Sequence, residues 1–202
     1  MCVAADKRGL DGRAMKGLRI GLLGGSFNPA HEGHRHISLL ALQRLRLDAV
    51  WWLVSPQNPL KPEIGMATFE NRFEMAKQVA RHPRIKVSDF ERKLGTRYTV
   101  DTLRMLSRRR RQDRFVWIIG ADNLMQMPRW HRWTALFEMV PVAVLARPTY
   151  SPRSLSGAAA HRFRRNRLPD RMAGLLVDQK PPAWVFLHTP LHNASATQIR
   201  SE

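Results

Sequence analysis

Polar and apolar positions alternate in blocks along the chain. Arg19-Ile20-Gly21-Leu22-Leu23 is a short apolar run stopped by Gly24-Gly25, which predicts a buried strand. From Gly33 to Leu45 the apolar residues Ile37, Leu40, Ala41 and Leu45 fall at helical spacing. Ala49-Val50-Trp51-Trp52-Leu53-Val54 predicts a second strand, closed by Ser55-Pro56. Phe69, Phe73, Ala76 and Ala80 mark one helical face, and Ile85 and Val87 fit a brief strand before Asp89. Val100, Leu103 and Leu106 carry a helix from Tyr98 to about Arg109. Phe115 to Ile119, Val140 to Ala146 and Trp184 to Leu187 are further apolar strands. Residues 121–138 read as a loop or short helices, and residues 147–183 as an Arg-rich, weakly patterned connection.

Strands that are apolar throughout and separated by helices predict an α/β fold, with a parallel sheet covered by helices on both faces. Ligands of such sheets bind beyond the carboxyl ends of the strands. That rim is where the loops beginning at Gly24, Ser55, Gly120 and Arg147 belong. A length of 202 residues suits a single domain. The domain is expected over residues 18–202, behind a leader (residues 1–17) that lacks periodicity and reads as disordered.

Charge alters this picture. Lys and Arg number 34 against 16 Asp and Glu, a formal net charge of +18. Such an excess implies a polyanionic partner, whether nucleic acid, an acidic membrane surface or a phosphorylated small molecule. The single cysteine, Cys2, excludes an intrachain disulfide framework and any multi-cysteine zinc module. No run approaches the ~18 apolar residues of a membrane span, and Met1 to Arg13 builds no apolar signal core. A cytoplasmic location without membrane attachment is the expectation.

The segment richest in chemistry is Gly24-Gly25-Ser26-Phe27-Asn28-Pro29-Ala30-His31-Glu32-Gly33-His34, between the first strand and the first helix. Paired glycines let the backbone turn sharply and approach a ligand closely. The helix start adds unpaired N–H groups and the positive end of its dipole, a ready anion site. His31 and His34 stand three apart there, so both rings can face one bound group. The spacing is neither a dinucleotide fingerprint nor a Walker loop, and the competing reading is a tight turn with exposed histidines.

Gly25-Ser26-Phe27-Asn28-Pro29-Ala30-His31-Glu32-Gly33-His34 resembles the signature of the nucleotidyltransferase superfamily that uses a His-x-Gly-His motif. Ser195-Ala196-Thr197-Gln198-Ile199-Arg200 is similar to that superfamily's second segment. Within the superfamily, the chain most resembles the bacterial nicotinate-nucleotide adenylyltransferases. Asn58-Pro59-Leu60-Lys61, Tyr98-Thr99-Val100-Asp101-Thr102-Leu103, Ile119-Gly120-Ala121-Asp122-Asn123-Leu124, Trp130 and Ala146-Arg147-Pro148 carry the resemblance.

The resemblance implies a Rossmann-like, doubly wound sheet and transfer of the adenylyl group of ATP to nicotinate mononucleotide, giving deamido-NAD and pyrophosphate. ATP and nicotinate mononucleotide are then the partners, without a specific nucleic acid; a homo-oligomer is left open. It implies that Gly24, Gly25, Ser26, Phe27, Gly120, Asp122, Ser195 and Thr197 bind ATP. His31, His34, Lys61 and Arg200 would be the cationic and donor groups of the reaction. Asn58, Thr99, Trp130 and Arg147 would hold nicotinate mononucleotide, with Trp130 stacking on the ring. Mg2+ would arrive with ATP, held by phosphates and water rather than by protein ligands. Such chemistry needs no nucleophilic side chain, because the attacking phosphate monoester is already largely dianionic at pH 7.

Other readings compete at single residues: Asp122 as a helix N-cap rather than a ribose partner, Trp130 as a core aromatic, Lys61 as a solvated loop lysine, and His31 and His34 as metal ligands, for which the sequence offers no evident third ligand. Asn28 stands where the family often has aspartate, a change expected to leave the turn intact, and Ala196 stands where a second serine is common. Two readings compete for the whole chain as well. A sister adenylyltransferase for nicotinamide mononucleotide or phosphopantetheine would share the histidines and differ in the acceptor pocket. A basic nucleic-acid-binding module would interleave aromatics with its arginines, yet the Arg162–Arg171 cluster contains only Phe163. Solvated surface is the simpler account of that cluster and of Arg108-Arg109-Arg110-Arg111.

Overall fold

The apolar runs pair side by side into one sheet. The computed structural model describes residues 17–56, 65–146 and 151–188. The strands are β1 (Arg19–Gly25), β2 (Ala49–Val54), β3 (Ile85–Ser88), β4 (Arg114–Gly120), β5 (Val142–Leu145), β6 (Arg167–Leu168) and β7 (Trp184–Leu187). Their order across the sheet is β3-β2-β1-β4-β5-β7-β6, and every pairing is parallel. Six of the seven match the expected runs. The two-residue strand β6 has no apolar run to announce it and exists through its pairing with Trp184 and Val185. The expected strand over Val140–Ala146 begins later, because Val140 closes the preceding helix.

Helices α1 (Glu32–Arg44), α2 (Phe69–Ala80), α3 (Phe90–Leu94) and α4 (Thr99–Arg109) connect the first four strands. Short helices α5 (Ala121–Gln126) and α6 (Trp133–Met139) lead to β5, and α7 (Ser151–Leu155) and α8 (Ala158–Arg162) follow it. Alternate residues of the central strands feed two cores. Val116 and Ile118 join Ile37, Ala41, Ala76 and Ala80 on one face; Phe115, Trp117 and Ile119 join Leu103, Leu106 and Phe137 on the other. This is the doubly wound arrangement, buried on both sides of a central parallel sheet.

The Arg-rich connection is better patterned than its sequence suggests. Ala159, Ala160 and Phe163 enter one core, while Ala173, Leu176 and Val177 of a 3₁₀ segment (Asp170–Asp178) enter the other. A 3₁₀ run has three residues per turn, so its apolar spacing escapes a search for the α-helical period. Arg108 to Arg111, Arg162, Arg164, Arg165, Arg167 and Arg171 are all exposed. Among the described residues, no helix is long and apolar enough to cross a membrane. Residues 1–16 of the expected leader (residues 1–17) lie outside the described residues.

Chain direction across the sheet reverses at β1. After β2 and β3 are laid on one side of it, the chain crosses to β4 on the other. Diverging loops at the carboxyl ends of β1 and β4 open a crevice at such a switch point.

Candidate active site

Two glycines end β1 at this crevice, and the neighbouring strand requires at least one of them. A Cβ at Gly24 would lie 2.5 Å from the Trp117 ring on β4. After Gly25 the chain turns through Phe27, whose φ of 47° is a left-handed conformation uncommon for a non-glycine residue. Packing offsets that strain: the Phe27 ring is buried, stacked on Trp52 at 5.1 Å and tilted against His34 at 4.8 Å.

His31 is the N-cap of α1. Its Nδ1 accepts the Gly33 N–H at 3.1 Å, and His34 Nδ1 accepts the His31 N–H at 3.2 Å. The two imidazoles thus close a reciprocal capping box, with ring centroids 3.9 Å apart. Because each Nδ1 receives a main-chain hydrogen, the neutral ring carries its own hydrogen on Nε2. His31 is only 5% exposed and His34 is half-buried. Beneath them Trp52 Nε1 donates to Ser38 Oγ at 2.7 Å, and Ser38 Oγ donates to the His34 carbonyl at 2.7 Å. The arrangement presents a pair of oriented N–H donors at a helix start, suited to anionic oxygens.

Two residues behind this loop, Arg72 and Glu91, carry no signal in the sequence. Arg72 on α2 is 1% exposed and donates to four main-chain carbonyls: Ser26 at 2.6 Å, Ser55 and Pro56 at 2.8 Å each, and Ala67 at 3.0 Å. Burial holds its guanidinium below the usual arginine range. Asn28 donates to the Gly65 carbonyl and accepts the Ala67 N–H, both at 3.2 Å. An aspartate could not make the first bond. Glu91 on α3 is a buried carboxyl, pushed up to about 7 by desolvation despite a hydrogen bond with Ser55. No motif pointed to Arg72 or Glu91. A charged residue within an otherwise helical stretch reads as surface until its neighbours are known.

Gly120 closes β4 and is the N-cap of α5. Asp122 is therefore the second residue of that helix and not its cap, which corrects the competing reading. Thr99 is the first residue of α4. Tyr98, just before it, stacks on His131 with centroids 4.3 Å apart, and this brings the start of α4 to the Trp130 segment. Trp130 itself is half-buried at the edge of the second core, between the two alternatives expected for it. Asn58, Lys61, Arg147, Ser195, Thr197 and Arg200 lie outside the described residues. Among the described residues, no three His, Cys, Asp or Glu side chains converge to hold a metal ion.

A family profile described as cytidylyltransferase-like matches residues 22–202. A protein of Parvibaculum lavamentivorans named probable nicotinate-nucleotide adenylyltransferase is 53% identical over 184 residues, covering 91% of this chain and 92% of its own. A protein of the same name from Gluconobacter oxydans is 50% identical over 183 residues, 91% of this chain and 94% of its own. In three dimensions the chain is similar to Plasmodium falciparum nicotinic acid mononucleotide adenylyltransferase complexed with NaAD. The TM-score is 0.69 at 15% identity, over 91% of this chain and 83% of the other. At that identity the likeness speaks for the fold.

Proposed function

The chain belongs to the cytidylyltransferase-like family and, with relatives about half identical along nearly its whole length, to the nicotinate-nucleotide adenylyltransferases, and we infer that it makes deamido-NAD. It transfers the adenylyl group of ATP to nicotinate mononucleotide and releases pyrophosphate, a step of NAD biosynthesis. An oxygen of the mononucleotide's 5′-phosphate attacks the α-phosphorus of ATP. The bond from that phosphorus to the bridging oxygen breaks, and its electron pair leaves with pyrophosphate. Little covalent work falls to the protein. It must align two anions and stabilise the charge that develops between them.

The observation that carries this reading is the histidine pair capping α1 at the sheet's switch point. His31 and His34 donate Nε2–H to the ATP phosphates, over a floor formed by Gly24, Gly25, Ser26 and Phe27. Lys61 and Arg200 supply charge, and Ser195 and Thr197 supply further donors. Gly120 and Asp122 take the ribose side of ATP. Thr99 and Trp130 flank the nicotinate ring, with Asn58 and Arg147 toward the rest of the mononucleotide. Mg2+ arriving with ATP would supply charge neutralisation, held by phosphate oxygens and water rather than by side chains of this chain. The sole cysteine suits a reducing compartment, and we place the reaction in the cytoplasm.

Pyrophosphate release from ATP, measured with each acceptor in turn, tests the reading. Nicotinate mononucleotide should be the preferred acceptor, ahead of nicotinamide mononucleotide. Turnover only with phosphopantetheine would overturn the acceptor, and no turnover with any acceptor would overturn the activity.

A further inference from the structure

Arg72 is a buried cation whose bonds, among the described residues, all serve loops beside the sheet's switch point. Its guanidinium spans three pieces of chain: Ser26 after β1, Ser55 and Pro56 after β2, and Ala67 before α2. None of these partners is a carboxylate. Among the described residues the acidic neighbour in electrostatic reach is the exposed Glu70, which is itself bonded to Arg92. Among the described residues the bonds of Arg72 go to carbonyl dipoles, an expensive way to glue loops, and an apolar side chain of similar volume could fill the space. What the apolar residue could not do is set where three carbonyls stand relative to one another. A planar fork with fixed N–H directions does that.

The placement of those carbonyls matters because of what adjoins them. Ser26 lies between Gly25 and the left-handed Phe27, on the loop that leads to His31. Ser55 also donates its N–H to the Gly25 carbonyl at 2.9 Å, so the exit of β2 is tied to the same loop twice, once directly and once through Arg72. Asn28 ties the loop a third time, to Gly65 and Ala67. The phosphate loop and the exit of β2 are therefore bonded into one unit, with Arg72 at its centre.

We propose that Arg72 is a positioning residue for adenylyl transfer: by bonding Ser26, Ser55, Pro56 and Ala67 together, it fixes the ATP phosphate loop against the neighbouring loop at the β2 exit. This role rests on the activity inferred above. In-line displacement tolerates little misplacement, and a shift of about 1 Å can cost ~10²-fold in rate. Arg72 touches neither substrate in this account. It acts through the loop that does.

The test compares the unchanged enzyme with R72K and R72Q in steady-state turnover of ATP and nicotinate mononucleotide, with thermal melts to count folded protein. R72K keeps the charge and the alkyl stem but lacks the fork. It should lower kcat per folded enzyme by ~10²-fold while each KM stays within about threefold, and R72Q should behave alike. A residue that merely staples the fold would lower the melting temperature and leave kcat per folded molecule unchanged; that result overturns the proposal. Should both variants fail to fold, the Nε–H signal of Arg72 in the unchanged protein answers the question by NMR. It should shift when a non-hydrolysable ATP analogue or nicotinate mononucleotide is added alone, and no shift with either overturns the role. An unchanged enzyme that does not use these two substrates overturns the activity and the role together. A working wild type beside a fully active R72K overturns the role alone.

Discussion

His34 Nδ1 accepts the main-chain N–H of His31 at 3.2 Å, while His31 Nδ1 accepts that of Gly33 at 3.1 Å. One short stretch thus uses the same two rings to start a helix and to present two Nε2–H donors. Structure and chemistry are coupled there, and mutation can separate them.

His34→Ala should reduce turnover by at least ~10²-fold in a protein that remains folded. His31→Ala should also lose the N-cap, at a cost of about 1 kcal/mol. His31→Asn should restore the cap but not the rate. Urea denaturation and steady-state kinetics on the three variants would separate the two roles, and near-normal rates in folded His34→Ala would refute the catalytic one.

Trp130→Ala should raise the KM for nicotinate mononucleotide at least ~10-fold, consistent with ring stacking worth 1–3 kcal/mol per base. The KM for ATP should hardly change, and Trp130→Phe should lie between. An equal loss for both substrates would instead point to a packing role at the edge of the second core.

Gly24→Ala should destabilise the protein by roughly 1–3 kcal/mol, because the new methyl would meet the buried Trp117 ring. Gly25→Ala makes the control, since its nearest contact, the Phe27 ring, lies 3.4 Å away. Equal stability of the two variants in chemical denaturation would contradict the close approach of β1 and β4.

Glu91 predicts the pH dependence of stability. Its carboxyl is raised from 4.5 to about 7 in the folded protein, chiefly by desolvation. Below about pH 4.5 both states hold the proton and nothing is lost. Between there and about pH 7 the unfolded chain ionises first, so this group lowers stability as pH rises, by on the order of 3 kcal/mol in total. Glu91→Gln should remove that slope and melt higher than the unchanged protein at pH 8. A variant that melts lower at pH 8 would show that the ionised carboxylate is stabilising.

Some of this molecule was readable without coordinates, and the reason is local. A buried parallel strand must be apolar on both faces, so Ala49–Val54 and Phe115–Ile119 declare themselves by composition alone. The first loop declares itself by residues whose uses are narrow: Gly24 where a neighbour leaves no room, and His31 and His34 three apart at a helix start. Tertiary structure decided what depends on distant partners. Arg72 looks like any arginine on an amphipathic helix until Ser26, Ser55, Pro56 and Ala67 turn their carbonyls toward it. Glu91 looks solvated until α3 and the exit of β2 close over it, and the bonds of Asn28 to Gly65 and Ala67 show only once the chain brings them within reach. Hydrophobic periodicity records which way a residue faces. A hydrogen bond to a main-chain carbonyl leaves no mark on the residue that owns that carbonyl, so such partners emerge only when the chain is folded.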